Sequence, residues 1–259
     1  MMVLALLLTG AAWAEGDASL DYIKNKGTFI LGFDASFPPM GYVDELTGDY
    51  VGFDLDLAAE VCNRLGVELV LQPIDWTAKD FELANKNIDC IWNGMTINDD
   101  RLAAMEISYP YMENKQVILV KADSGYNTKA DLAGKVAAVQ AASSGAAALA
   151  DDAEFSASLS GVVEWPEYAT CLMDLEGGMV DCVIIDVTVA NYYITGKNLK
   201  ILDESLAPEL YGIGFRKGEA ALKDAINAQL VAMDKDGKLA EISTKWFGGD
   251  ITVIKDYAD

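Results

Sequence analysis

The stretch Asn93-Gly94-Met95-Thr96-Ile97-Asn98-Asp99-Asp100-Arg101 follows the apolar run Ile88-Asp89-Cys90-Ile91-Trp92, which reads as a buried strand. A strand that ends at a glycine, turns through a threonine and starts a helix at Asn98 gathers several polar groups in one small space. These are a free carbonyl, a free N–H, a hydroxyl and a guanidinium. The set suits an α-amino acid, whose carboxylate takes the fork of an arginine and whose ammonium takes acceptors. The chain has only three arginines, Arg64, Arg101 and Arg216. Arg101 also has a plainer use, pairing with Asp99, Asp100 or Glu106 near its own helix.

Such a turn needs a scaffold, and the chain alternates strand and helix signals. Residues 28–33 read as a strand, Pro38-Pro39 as a loop and Thr47-Gly48-Asp49 as a turn. Residues 54–65 read as a helix stopped by Gly66, followed by a strand at 67–72. Residues 79–85 look helical, 88–92 form a strand, 116–121 a β-rich crossover and 136–140 another strand. Residues 222–233 and 239–246 close the chain as amphipathic helices. This alternation predicts an α/β protein with largely parallel sheets. Asn87-Ile88-Asp89-Cys90-Ile91-Trp92 is echoed by Met179-Val180-Asp181-Cys182-Val183-Ile184. Two similar lobes would point their strand ends at a common cleft, where open α/β sheets bind ligands.

A length of 259 residues admits one large domain or two modest lobes, and 52% hydrophobic residues exclude a disordered chain. The 19 basic and 41 acidic residues give a net charge of −22. Nucleic acid and anionic membrane surfaces are poor partners for such a chain. The charge reads first as a solubilising surface and only second as a lure for cations. The absence of histidine removes the commonest general base and zinc ligand. Cys62, Cys90, Cys171 and Cys182 form no C-x-x-C pattern, and their apolar settings fit buried thiols as well as bridges. Residues 1–14 have an apolar run and end in the cleavage pattern Ala12-Trp13-Ala14, the shape of a secretory signal peptide without its basic start. Export without an anchor follows, to a periplasmic or otherwise extracytoplasmic location.

From about Gly27 to about Asp250 the chain resembles the polar amino-acid-binding proteins of bacterial ABC importers, family 3 of the solute-binding proteins. The resemblance rests on Gly52-Phe53-Asp54-Leu55-Asp56-Leu57-Ala58, Met95-Thr96 through Arg101, and Ser108-Tyr109-Pro110-Tyr111. It continues through Val139-Gln140-Ala141-Ala142-Ser143-Ser144, Gly178-Met179-Val180-Asp181 and Lys245-Trp246-Phe247-Gly248. It implies the two-lobe type II periplasmic-binding-protein fold, each lobe a mostly parallel sheet flanked by helices and joined by a two-strand hinge. Residues 15–114 with 213–259 would form lobe 1, and residues 115–212 lobe 2.

The resemblance also implies a site. Arg101 would grip the α-carboxylate, and Thr96 would offer its N–H to the carboxylate and its hydroxyl to the ammonium. The Gly94 carbonyl would accept from that ammonium, Ser144 with Ser143 beside it would donate to the carboxylate, and Asp186 would neutralise the ammonium. Asp34, Phe37, Trp76, Asn93 and Gln140 would hold the side-chain end. Phe37 and Trp76 would sandwich the ligand, with cation–π attraction worth about 0.5–2 kcal/mol for a cationic one. No cofactor, metal or catalytic residue is implied, and the expected partners are an amino acid and a membrane permease, with the protein itself a monomer.

Plainer uses stand beside these. Asp186 is a good helix N-cap, Trp76 a core anchor, Phe37 a turn support, Asp34 a loop cap, and Ser143 with Ser144 a strand end and helix cap. The chain departs from the family at Ala142, where glycine is usual, and at Trp165, which would shrink or cap the side-chain end. An arogenate or prephenate dehydratase on the same scaffold is the rival function. It needs a general acid, and Asp34 or Glu164 is the carboxylate available.

Overall fold

The computed structural model describes residues 16–257, so the signal peptide expected at residues 1–14 lies outside the described residues. Helix α1 (Ser19–Lys26) stops at Gly27, where φ is +75° and the glycine N–H closes on the Ile23 carbonyl. Strand β1 (Thr28–Phe33) follows, then a small antiparallel sheet of β2 (Ser36–Phe37), β3 (Gly41–Val43) and β4 (Tyr50–Val51). Helix α2 (Phe53–Leu65) buries Phe53, Leu57 and Val61, one residue per helical turn along one face. It is succeeded by β5 (Glu68–Pro73), α3 (Lys79–Ala84), β6 (Cys90–Thr96), α4 (Asp99–Ala104) and β7 (Met105–Ile107).

Strand β8 (Met112–Lys121) carries the chain into a second group of elements. These are β9 (Val136–Gln140), α5 (Ser144–Asp151), α6 (Ala153–Ser158), β10 (Gly161–Trp165), α7 (Tyr168–Gly177), β11 (Cys182–Asp186) and α8 (Val187–Ile194). The 18-residue β12 (Leu199–Arg216) returns, and α9 (Ala220–Lys235) and α10 (Lys238–Phe247) pack against α2.

The main sheet runs β10-β9-β11-β8-β12-β6-β1-β5, with β7 attached to β12. Its flanks are two parallel sets, β5-β1-β6 and β10-β9-β11. The long strands β8 and β12 lie between them, antiparallel to each other and to the set each one borders. This is the type II binding-protein architecture, with β8 and β12 as the two connecting strands. Strands β6 and β11 are buried at every residue, as parallel strands covered on both faces must be.

Two sequence expectations are corrected by partners distant in the chain. The strand expected at 88–92 runs instead from Cys90 to Thr96, because Met95 and Thr96 pair with Gly212 and Tyr211 of β12. Gly94, at φ +56°, bends the strand without ending it. The crossover expected at 116–121 begins four residues earlier, at Met112, which pairs with Tyr211. All four cysteines are free and buried, and burial pushes the thiols of Cys62, Cys171 and Cys182 up to about 12. Among the described residues no helix is long and apolar enough to cross a membrane.

Candidate ligand-binding site

Strand ends from both parallel sets converge on a cavity of about 270 Å3 of empty space, its mouth included. Asp34, Phe37, Trp76, Asn93, Gly94, Thr96 and Arg101 line it from one side, and Gln140, Ser143, Ser144 and Asp186 from the other. The structure therefore brings all eleven sequence-derived residues together around one space.

Arg101 reaches the cavity because Asn98 caps α4. The Asn98 Oδ1 accepts from the Arg101 N–H at 2.9 Å, which turns the arginine back over the end of β6. Its Nη1 donates to the Thr96 carbonyl at 2.6 Å. Among the described residues it forms no ion pair with Asp99, Asp100 or Glu106, so the plainer use proposed for it is not the one adopted. Burial pulls the Arg101 pKa down from its ordinary value, while the charges of Glu209, Asp80 and Asp186 oppose that shift. The rest of its fork is left for an anion in the cavity.

Asp186 occupies the N-cap position of α8, yet its side chain makes no capping bond. Its carboxylate accepts from Tyr211 Oη at 2.6 Å, Asn114 Nδ2 at 2.8 Å and Tyr168 Oη at 3.4 Å. Ser143 does cap, accepting from the Ala146 N–H at 3.1 Å. Ser144 opens α5, and its Oγ lies within hydrogen-bond distance of Thr96 Oγ1 across the cavity, at 2.9 Å.

The far end is organised by Asp34. Its Oδ1 accepts from the Ser36 N–H and hydroxyl at 2.8 and 2.7 Å, and its Oδ2 accepts from Gln140 Nε2 at 2.6 Å, across the cavity. Desolvation pushes the Asp34 pKa up, against those hydrogen bonds. Asn93 accepts from the Asp34 N–H through Oδ1 at 3.0 Å, while its buried Nδ2 has no protein partner. A buried donor left open costs about 1–3 kcal/mol, so that amide is poised for a ligand acceptor. Trp76 serves two ends at once, packing with Leu83, Ile88 and Ile91 while lining the cavity. Buried Lys79 sets its Nζ 5.1 Å from the Trp76 ring centroid and 3.5 Å from the Ala142 carbonyl on the opposite side. Ala142 has φ +56°, the left-handed conformation in which glycine is unstrained.

Trp165 does not cap the cavity, contrary to the expectation from sequence. Its indole N–H donates to Asp174 Oδ2 at 2.9 Å, and the ring packs on the core. Glu164, one of the two carboxylates considered for an acid, does not line the cavity either.

The sequence reading missed the network behind the cavity wall. Thr96 Oγ1 donates to Glu209 Oε2 at 2.9 Å. Glu209 Oε1 accepts from Gln116 Nε2 at 2.8 Å and, closer still, from Asn114 Nδ2. Gln116 Nε2 reaches Ser144 Oγ at 3.1 Å. Asn114 and Gln116 sit on β8 and Glu209 on β12, so the connecting strands themselves supply this network. The available signal was the alternation in β8, where buried Met112, Asn114 and Gln116 interleave with exposed Glu113 and Lys115. Two amides on the inward face of a strand need partners.

A buried support stands behind Gly94. Its N–H donates to Asp54 Oδ2 at 2.7 Å, and Tyr111 Oη donates to the same oxygen at 3.0 Å. Burial pushes the Asp54 carboxyl up to about 7, against the opposing effect of Gly94, Tyr111 and Trp92.

Residues 29–249 match the family model of the bacterial extracellular solute-binding proteins, family 3. The chain belongs to that family. It is 30% identical over 237 residues to the L-cystine-binding protein TcyJ of Escherichia coli (strain K12), covering 90% of this chain and 87% of that one. An ABC uptake transporter substrate-binding protein of Streptococcus pneumoniae, solved with bound histidine, superposes with a TM-score of 0.88. The two are 35% identical over 92% of this chain and 99% of that one. The ancestral amino acid-binding protein AncCDT-1, a precursor of cyclohexadienyl dehydratase, superposes with a TM-score of 0.82 at 31% identity. That match covers 88% of this chain and 99% of that one.

Proposed function

We propose that this protein captures a polar or basic L-α-amino acid between two closing lobes and delivers it to the permease of an ABC importer. The lobes are residues 15–114 with 213–259, and residues 115–212. It works outside the cytoplasmic membrane, exported through a cleavable signal peptide at residues 1–14, as a monomer and without catalysis. The observation that carries this reading is Arg101, an arginine with no carboxylate partner among the described residues, facing Asp186 across one cavity. A zwitterion satisfies both ends at once. Because the two residues come from opposite sides, a ligand bridging them favours the closed arrangement through contacts that the open one lacks. Asn93, Asp34, Gln140 and the faces of Phe37 and Trp76 select the side chain. A thermal-shift screen of the standard amino acids tests this reading, with at least one polar or basic member expected to raise the melting temperature. Stabilisation by dicarboxylates or sugars alone would sink the head-group assignment.

A dehydratase reading stands second, favoured by a carboxylic acid hydrogen-bonded to Thr96 of the cavity wall. Burial and the neighbouring Asp186 push Glu209 up to about 8, where it can donate a proton at neutral pH. Incubation with arogenate or prephenate decides between the two, since turnover above background would displace the binding-only reading.

A further inference from the structure

Glu209 and Asp186 are tied to the same atom. Asn114 Nδ2 donates to Asp186 Oδ1 at 2.8 Å and to Glu209 Oε1 at a shorter distance still, so the two carboxylates stand within two hydrogen bonds of each other. Two carboxylates that close cannot both stay ionised without a cation between them. The titratable and charged groups facing the pair are Arg101 from α4, Tyr168 from α7 and Tyr211 from β12. Arg101 gives its Nη1 to the Thr96 carbonyl and forms no ion pair with either acid, and burial keeps both tyrosines in the neutral phenol form. Arg101 therefore sets one positive charge near two acids without a hydrogen bond to either, and one negative charge is left over. Glu209 also shares Thr96 Oγ1, the hydroxyl that faces the head-group end of the cavity.

Resting on the amino-acid reading above, we propose that Glu209 is a second carboxylate for the ligand ammonium, opposite Asp186. The incoming ammonium replaces a proton that Glu209 holds in the empty site. Binding is then an exchange of one cation for another. The ligand enters with its α-ammonium, Glu209 ionises, and the proton leaves to solvent. The upward shift of Glu209 by burial and by Asp186 agrees with a protonated acid in the empty site. The complex holds fewer protons than the free protein, so by linkage affinity rises with pH until Glu209 is ionised in the free protein as well.

The test counts protons. Calorimetric titration with L-arginine at pH 7, in buffers of different ionisation enthalpy, is expected to show release of about one proton per ligand by the wild type. Glu209→Gln keeps the shape and the acceptor oxygen but cannot ionise, and should release about one proton fewer. Asp34 is present in both proteins, so the difference reports Glu209 alone. Wild-type affinity should climb by up to about tenfold per pH unit from pH 6 to 7.5, and that of the variant should stay flatter. A second readout needs no variant: the infrared carbonyl band of a protonated carboxyl in the ligand-free wild type should diminish when arginine is added. Equal proton release by both proteins, or an infrared band unchanged by bound arginine, would overturn the proposal and leave amino-acid binding standing. Failure of every standard amino acid to bind would overturn both.

Discussion

Asp54 lies outside the cavity but holds Gly94 in place, and replacing it with asparagine separates its charge from its shape. The asparagine oxygen can still accept both the Gly94 N–H and the Tyr111 hydroxyl, which donate to the same oxygen of Asp54. Ionised aspartate faces a penalty that asparagine does not, because its charge is desolvated by complete burial. The carboxyl titrates at about 7 in the folded protein against an ordinary 3.8. At about 1.36 kcal/mol per pH unit, that gap is worth up to about 4 kcal/mol. The folded state binds the proton more tightly, so the Asp54 contribution to stability is complete below about pH 4 and is lost as pH rises through about 7. Asp54→Asn should therefore match the wild type near pH 4 and exceed it by up to about 4 kcal/mol at pH 8. Urea unfolding of the ligand-free proteins across that range measures the difference directly. The raised carboxyls of Asp34 and Glu209 occur in both proteins and cancel. Parallel pH profiles, or a variant that loses ground as pH rises, would refute the assignment of a buried, protonated Asp54.

Three further outcomes follow from the geometry. Arg101→Lys should weaken binding of the stabilising amino acid by about tenfold to a hundredfold in calorimetry, the worth of one charge-assisted hydrogen bond at about 1.5–3 kcal/mol, with the melting temperature of the free protein unchanged. Gly94→Ala should lower the melting temperature by several degrees. Its φ of +56° disfavours a Cβ by about 1–2 kcal/mol, and that Cβ would stand 2.9 Å from Phe37 and 3.1 Å from Tyr211. Ellman titration should find no reactive thiol in the native protein and four after unfolding in guanidinium, because all four cysteines are buried and free.

The walls of the site were legible in the sequence because each wall is local. Asn98 capping α4, the Gly94 bend and Arg101 in the first turn of its helix lie within a few residues of one another, and local turn chemistry has a readable signature. Ser143 and Ser144 are a strand end running into a helix start, readable for the same reason. The network behind the walls was not legible. Asn114, Gln116 and Glu209 matter only because β8 and β12 pair over a long stretch, from Leu199–Lys121 to Tyr211–Met112. Pairing between residues so far apart in the chain leaves no local trace, and the same partner explains why β6 extends beyond Trp92. Trp165 misled for a related reason: a tryptophan near a binding segment reads as a ligand contact until its indole N–H is seen to be satisfied by Asp174.

Strands β8 and β12 do two jobs with neighbouring residues, connecting the two parallel sets and bracing Thr96, Ser144 and Asp186 of the cavity wall from behind. That overlap divides the site by how freely it can change over evolutionary time. Phe37, Trp76 and Gln140 stand outside the connecting strands, so they can be exchanged to suit a new side chain while those strands are left alone. Asn114, Gln116, Glu209 and Tyr211 lie on the connecting strands, and altering one disturbs the cavity wall and the connection together. New specificities should thus accumulate on the walls, while the network behind them stays tied to the strands that hold the two halves of the sheet together.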